Sequence, residues 1–371
     1  MLAKLAENPR PDLIALLGRR DEPTDAVREY CSWLAQALEK QGRTLELVEV
    51  DWKALGWRKT WRELRRQSRA WRGRWVFLQY TALMWSRHGF SFRVLAVLAL
   101  LRWRAARIGV VFHDAQAFAG RRLIDRARRA CQHWIMRRAC AWSRLPIFTV
   151  PPDRLPWPPA NLAKAVFIPV GANFSAPADR PETPAPRPRH TATIAVFGVT
   201  SGARTLTEAA DISYVGEQVS RPGTPLRLIV LGRGSAEAEP HLRQLLHGTG
   251  VELSVLGLLP PAEVVRTLSR ADVLLFVRGH ISSRRSSAIV GIACGLPIVA
   301  YRGLETACPI TEAGVLLVPE REREALARAL ARVLAEDALR EELRARSRAA
   351  HQKYFSWDAI AGRYLAVLGE R

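Results

Sequence analysis

Two short stretches of this 371-residue sequence gather the groups needed to hold an oligophosphate. The first is Gly198-Val199-Thr200-Ser201-Gly202-Ala203-Arg204-Thr205, where an apolar run ending at Phe197 meets two glycines, a basic residue and a helical pattern. Backbone N–H groups and a helix N-terminus can cradle phosphate in such a turn, with Arg204 neutralising it. It differs from a nucleoside-triphosphate loop, because its glycines stand one residue too close and Arg-Thr replaces Lys followed by Ser or Thr. An ordinary tight turn is the other reading. The second stretch is His280-Ile281-Ser282-Ser283-Arg284-Arg285-Ser286-Ser287, with four serines and two arginines between a strand-like run and a helical one. Hydroxyls and guanidinium groups placed where a helix dipole is positive suit an oligophosphate. A solvated turn with serine caps is the alternative there.

The elements that must carry these stretches alternate along the chain. Strand-like runs are expected at 13–17, 45–50, 75–80, 108–112, 147–150 and 166–170, with helical patterns before several of them. A helix over 24–41 has Thr24 as its N-cap and Gly42 as its stop. Residues 175–190 carry repeated prolines that remove donors and fix φ, so they read as an extended linker. The alternation restarts with strands at 194–197, 226–231, 253–256, 273–277, 298–301 and 315–318. Helical patterns fall at 241–246, 261–268 and 287–293, and one long helical stretch runs over 320–353. Strands alternating with helices imply parallel sheets covered on both faces, hence two doubly wound α/β domains. Ligands of such sheets sit outside the carboxyl ends of the strands, which places the expected site in a central cleft between the two domains.

Composition narrows the class. The length suits two domains, and 48% apolar with 8% aromatic residues suits globular cores. Cys31, Cys131, Cys140, Cys294 and Cys308 are odd in number and scattered, which fits free thiols better than a disulfide framework or a zinc site. No secretory leader is visible, and 94–101, the longest apolar stretch, is too short to span a bilayer. A cytoplasmic protein is expected. The formal charge is +21, and the first 180 residues hold 32 Lys and Arg against 15 Asp and Glu, which leaves +17 of the total there. Such a surface attracts phosphorylated substrates, anionic headgroups or nucleic acid.

Further pieces, in order, resemble one family. Ala293-Cys294-Gly295-Leu296-Pro297-Ile298-Val299-Ala300, then Gly303 and Gly314-Val315-Leu316-Leu317-Val318-Pro319, look like the donor-domain signature of glycosyltransferase family 4. Leu228-Ile229-Val230-Leu231-Gly232-Arg233-Gly234-Ser235 resembles that domain's second strand and turn, with Gly234 at the donor. Leu256-Gly257 and 268–273 resemble its next strand and helix-to-strand junction. Phe112-His113-Asp114 is similar to the acceptor-domain histidine turn, and Phe355-Ser356-Trp357 to the start of the tail that crosses back. The match is strong in the second half and weak before about residue 107.

The resemblance implies a retaining, GT-B hexosyltransferase with two Rossmann-like domains. Residues 1–174 would be the acceptor side, 175–190 the linker, 191–352 the nucleotide-sugar donor domain, and 353–371 a helix crossing back. It implies a nucleoside-diphosphate sugar donor bound by Gly198, Gly202, Arg204, Gly234, Ser282, Ser283, Arg284, Arg285, Ser286 and Ser287. Arg204 and Arg285 would stabilise the leaving diphosphate, with His113 as a hydrogen-bonding or polarising group. Arg19, Arg20, His113 and Asp114 would face the acceptor. A histidine with a purely structural role is the other reading of His113. The family's two glutamates, eight positions apart, fall on Ser282 and Val290, and neither is a carboxylate. The surrounding Ser283-Arg284-Arg285 resembles a variant from bacterial exopolysaccharide transferases. No Asp-x-Asp occurs, so no metal or other cofactor is expected.

Five of twelve tryptophans, Trp52, Trp57, Trp61, Trp71 and Trp75, lie among arginines. Trp57, Trp61, Leu64, Ser68, Trp71 and Trp75 recur at steps of four and three, as one helix face. That face either packs on the sheet or lies on an anionic membrane at the inner surface, as the resemblance implies for members with lipid-linked acceptors; the acceptor expected here is a glycan or a polyprenyl-linked one. Residues 90–103 are a second such segment. Two other classes stand beside the transferase: a non-catalytic relative, motivated by Ser282 and Val290, and a nucleic-acid binder. No zinc-finger, helix-turn-helix or RNA-recognition signature is present, so nucleic acid is not an expected partner.

Overall fold

The computed structural model describes residues 12–19, 21, 25–120, 122–157, 159, 161–173, 191–220 and 225–369. The proline-rich stretch at 175–190, Arg20 and Thr24 lie outside them. The chain divides into two compact units: Met1–Ile168 with Ile360–Arg371, and Pro169–Ala359.

The first unit runs β1 (Leu13–Leu17), α1 (Ala26–Lys40), β2 (Leu45–Glu49), α2 (Trp52–Leu55), α3 (Trp57–Gln67), β3 (Trp75–Tyr80), α4 (Arg93–Trp103), β4 (Arg107–Phe112), α5 (Leu123–Trp142), β5 (Leu145–Phe148) and β6 (Val166–Phe167). Its strands form one parallel sheet in the order β2-β1-β3-β4-β5-β6. β1 and β3 are apolar and buried at nearly every position, because helices cover both faces of such a sheet.

The second unit runs β7 (Ala192–Phe197), α6 (Thr205–Val219), β8 (Leu226–Leu231), α7 (Ser235–Leu245), β9 (Val251–Gly257), α8 (Pro261–Ser269), β10 (Val273–His280), α9 (Ser286–Ala293), β11 (Ile298–Tyr301), β12 (Val315–Val318), α10 (Arg323–Ala335) and α11 (Asp337–Ala350). Its parallel sheet has the order β12-β11-β10-β7-β8-β9. Counted from β7 this is the 3-2-1-4-5-6 arrangement of a dinucleotide-binding sheet, which reverses direction between β7 and β10. The last helix, α12 (Trp357–Gly369), begins at the end of this unit, where Ser356 Oγ accepts from Ala359 N at 3.2 Å. From Ile360 onward it belongs to the first unit, where Tyr364 Oη lies 2.9 Å from Tyr30 Oη.

Several elements differ from the sequence expectation. Helix α1 starts after Asp25, whose Oδ1 accepts from Val27 N and Arg28 N, so Asp25 is the cap instead of Thr24. Helix α7 starts at Ser235 and passes through Pro240, six residues ahead of the expected 241. Gly234, at φ 76°, turns the chain into it, and Ser235 Oγ donates to Gly232 O at 2.7 Å. The long stretch over 320–353 is two helices and a π-turn. Glu336 is extended, and Arg340 Nη1 donates to the Val333 and Leu334 carbonyls at the end of α10. Orphan carbonyls satisfied by a side chain let the first helix stop and the second begin.

The tryptophan segment is likewise broken. Trp52 lies in α2, Trp57 and Trp61 in α3, Trp71 in a 3₁₀ turn, and Trp75 opens β3. Trp52, Trp71 and Trp75 are buried, and Trp57 and Trp61 pack against the first unit's core. The aromatic face therefore turns inward, as the packing alternative has it.

Candidate anion site at the switch point of the second sheet

The direction reversal between β7 and β10 brings two loops side by side at the carboxyl ends of the strands, 198–204 after β7 and 278–285 around the end of β10. Their approach is close because glycines line it. A Cβ on Gly198 would stand 3.0 Å from Arg278 Nη1, and one on Gly279 would stand 3.6 Å from Arg204 Nη1. The turn after β8 completes the group. Gly234 lies so near Val199 that a Cβ there would meet its carbonyl oxygen at 2.1 Å, and Val199 N donates to Arg233 O at 2.9 Å.

Three basic residues thus border the carboxyl ends of these strands: Arg204 beside Gly279, Arg278 beside Gly198, and Arg233 near enough to Arg278 to act on its charge. Arg278 is the most enclosed. Burial pulls its guanidinium below its ordinary range, the buried carboxylate of Glu208 opposes that, and the nearby Arg233 adds to it. Its Nε has no hydrogen-bond partner among the described residues. Positive charge enclosed this way is complementary to a polyanion and costly without one.

The 198–205 loop is held by carboxylates. Thr200 N donates to Glu208 Oε2 at 2.7 Å, and Gly202 N donates to Glu237 Oε1 at 2.9 Å. Thr205 Oγ1 donates to Thr200 O at 2.8 Å. Two of the amides proposed to cradle phosphate are therefore engaged within the protein. Arg204, exposed as the residue before α6, is the loop's reachable cation.

The serine-arginine stretch divides into buried and accessible halves. Ser282 and Ser283 are buried, and Ser283 O accepts from Val170 N at 3.2 Å. Arg284 turns into the protein, where its Nε donates to Glu305 Oε2 at 2.8 Å, while His280 Nε2 stands 3.5 Å from the same oxygen. Burial resists ionisation of Glu305, but His280 and the Arg284 guanidinium outweigh it and hold the carboxyl down to about 2. Arg285 and Ser286 are half-buried at the start of α9, a helix without a side-chain cap, and Ser287 is buried just inside it. Val290 is core. Arg278, Arg233, Glu208 and Glu305 escape the sequence reading as site residues, and His280, which opens its second stretch, is given no role there. The one signal for the first of them is a basic residue at the end of an otherwise apolar strand, Val-Leu-Leu-Phe-Val-Arg278.

The remaining expected residues belong to the first unit. His113 follows β4, its Nε2 2.7 Å from Gln79 Oε1 and its ring edge-on to Tyr30 at 4.8 Å. An amide oxygen can only accept, so Nε2 carries the proton and Nδ1 is the acceptor. Burial pushes the ring down to about 3, so it is neutral near pH 7. Asp114 Oδ1 accepts from Gln116 N at 3.3 Å. Arg19 Nε donates to Leu83 O at 2.7 Å, across the reversal between β1 and β3, and a Cβ at Gly18 would collide with Met84 O at 2.5 Å. All five cysteines are free thiols.

Residues 199–336 match the family model described as glycosyl transferases group 1. No curated protein matches the chain in sequence. Solved structures match it in fold over nearly its whole length. A UDP and glucose complex of Alr3699/HepE from Anabaena has a TM-score of 0.64 at 12% identity, covering 97% of this chain and 100% of its own. Sucrose-phosphate synthase from Thermosynechococcus elongatus has 0.66 at 18%, covering 97% and 99%, and a glycosyltransferase from Rickettsia africae 0.65 at 13%, covering 97% and 98%. The fold is the two-unit, Rossmann-like α/β architecture of the GT-B type.

Proposed function

We propose that this chain, whose second unit carries a glycosyl transferases group 1 domain, is a retaining family 4 hexosyltransferase. It moves a sugar from a nucleoside-diphosphate donor to a glycan or polyprenyl-linked acceptor, in bacterial exopolysaccharide or surface-polysaccharide synthesis. The observation that carries the reading is that Arg204, Arg233 and Arg278 border the carboxyl ends of the strands at the switch point of the second sheet, inside the matched region. The fold neighbour from Anabaena was solved with UDP and glucose, which suits a diphosphate at this edge.

The chemistry is electrostatic. As the glycosidic bond breaks, the leaving diphosphate gains charge, and fixed guanidinium groups bind that state more strongly than the ground state. Arg278 sits deepest, Arg204 and Arg285 reach from the two loops, and the uncapped start of α9 adds its amides. These cations fill the role a divalent metal plays elsewhere, so the reaction is proposed to need none. His113 contributes a neutral ring that orients a hydroxyl. The enzyme works in the cytoplasm, peripherally on the inner membrane.

A non-catalytic relative is the second reading, favoured by the apolar burial of Val290 and by the turning of Arg284 away from solvent. Calorimetry and turnover assays with UDP- and GDP-hexoses separate the two. Binding with sugar release or transfer, unchanged by EDTA, supports the enzyme; binding without turnover supports the relative, and no binding at all sinks both.

A further inference from the structure

Helix α5 has an apolar outer face. Along its 20 residues, Leu123, Ala127, Ala130 and Trp134 recur at steps of four, three and four and are all exposed, Leu123 by 80%. The opposite side, with Ile135, Met136 and Ala139, is buried in the first unit's core. A surface helix ordinarily presents polar side chains outward, so this helix is apolar on two sides.

Neighbouring loops widen the patch. Phe92 is 54% exposed and lies 6.4 Å from Trp134, ring to ring. Phe118 is exposed too, packed under the Arg128 guanidinium at 4.5 Å. Ile124 adds to the same end of the helix. The exposed charge on the helix itself has one sign. The helix holds five arginines and one acid, Asp125, which is buried and paired with Arg128 at 3.0 Å. Arg126, Arg137 and Arg138 are exposed beside the strip.

We infer that the outer face of α5, with Phe92 and Phe118, is the surface by which the protein lies on an anionic bilayer. The inference rests on the membrane placement proposed above and moves it from the tryptophan segment, whose rings point into the core, to this helix. A helix about 30 Å long, parallel to the membrane, sinks its Leu, Ala and Trp side chains below the headgroups while its arginines meet lipid phosphates. A second copy of the chain suits the patch poorly, since two such helices would set arginines against arginines. No helix among the described residues is long and apolar enough to cross a membrane, so the contact is in-plane.

Co-sedimentation of the full chain with vesicles tests this. The wild type is expected to pellet with phosphatidylglycerol vesicles, to be released by high salt, and to stay in solution with phosphatidylcholine. Leu123→Glu with Trp134→Glu should lower the bound fraction at least tenfold. Leu162→Glu with Leu245→Glu, an equal charge change at exposed leucines elsewhere, should leave it intact. Wild-type binding that survives Leu123→Glu with Trp134→Glu would overturn this surface. Failure of the wild type to bind either vesicle would overturn the membrane placement itself. A dimer that the Leu123→Glu, Trp134→Glu variant dissociates in light scattering would replace the lipid with a second copy. Donor turnover on the same preparations reports separately on the transferase reading.

Discussion

Arg284 Nε donates to Glu305 Oε2 at 2.8 Å, and the carboxylate that receives it is wholly buried. The arginine that lies in the most anion-suited stretch of the sequence therefore serves as the counterion of a core carboxylate. With the His280 ring 3.5 Å from the same oxygen, the pair pins the loop after β10 to residues 303–306. Thr306 strengthens the pinning, its Oγ1 donating to Ile281 O at 2.6 Å. Arg284 then fixes the loop, while Arg278, near the end of β10, keeps a guanidinium Nε with no hydrogen-bond partner among the described residues.

Removing Glu305 should unfold the site. Glu305→Gln leaves Arg284 buried without its counter-charge, which costs about 3 kcal/mol. The pH dependence follows from the depressed pKa of about 2 against an ordinary 4.5. A carboxylate depressed in the folded state adds stability that is complete above pH 4.5 and lost as the pH falls towards 2. Urea titrations should show wild-type stability falling through that window and a flatter profile for Glu305→Gln. Equal slopes would detach Glu305 from the acid transition.

Arg278 should behave in the opposite way. It is a mostly enclosed cation with an unpartnered Nε, so Arg278→Met should leave apo stability unchanged or raise it. The same variant should weaken UDP binding roughly 10- to 100-fold, the usual worth of a charged hydrogen bond to phosphate. Thermal melts with and without UDP measure both effects. An intact UDP-induced shift in Arg278→Met would remove this guanidinium from the anion site.

Arg204 and Arg284 can be told apart by one pair of experiments. Arg204→Ala is exposed and should keep the apo melting temperature while cutting the UDP-induced shift. Arg284→Ala should lower the apo melting temperature first, because Glu305 loses its partner. If Arg284→Ala melts like wild type but fails to bind UDP, the buried pair is not what holds this arginine.

The strands were legible because parallel sheets bury both faces and write themselves as apolar runs. Leu13–Leu17, Leu226–Leu231 and Ile298–Tyr301 appear in the structure with the expected ends. Local apolarity says little about what a side chain meets across the fold. The apolar run ends at Val277, one residue before Arg278, so the pattern gives no sign that the strand continues through the charge. Glu305 lies 21 residues from Arg284, in a turn with no periodic signal to join them. The regular spacing of Trp57, Trp61 and Trp71 concealed a break at Gln67, after which a 3₁₀ turn carries Trp71 into the core.

His113 should act without titrating near neutrality. Its ring is pushed down to about 3 by burial, so it stays neutral through the physiological range. A group whose folded pKa is depressed below its ordinary value of 6.5 gains charge only near pH 3, and the fold loses stability as the pH drops below 6.5. Nitrogen NMR of the ring should therefore show one neutral form, protonated at Nε2, between pH 5 and pH 8. An imidazolium signal appearing near pH 6.5 would mean that the ring is hydrated and free of Gln79. The variant Gln79→Leu sharpens the test. It removes the oxygen that accepts from Nε2, so the tautomer should become mixed while donor binding, which belongs to the second unit, stays unchanged. Transfer to acceptor should fall roughly 100-fold, the cost expected of a misplaced reacting group. A variant with wild-type transfer would leave His113 as a residue of the core alone.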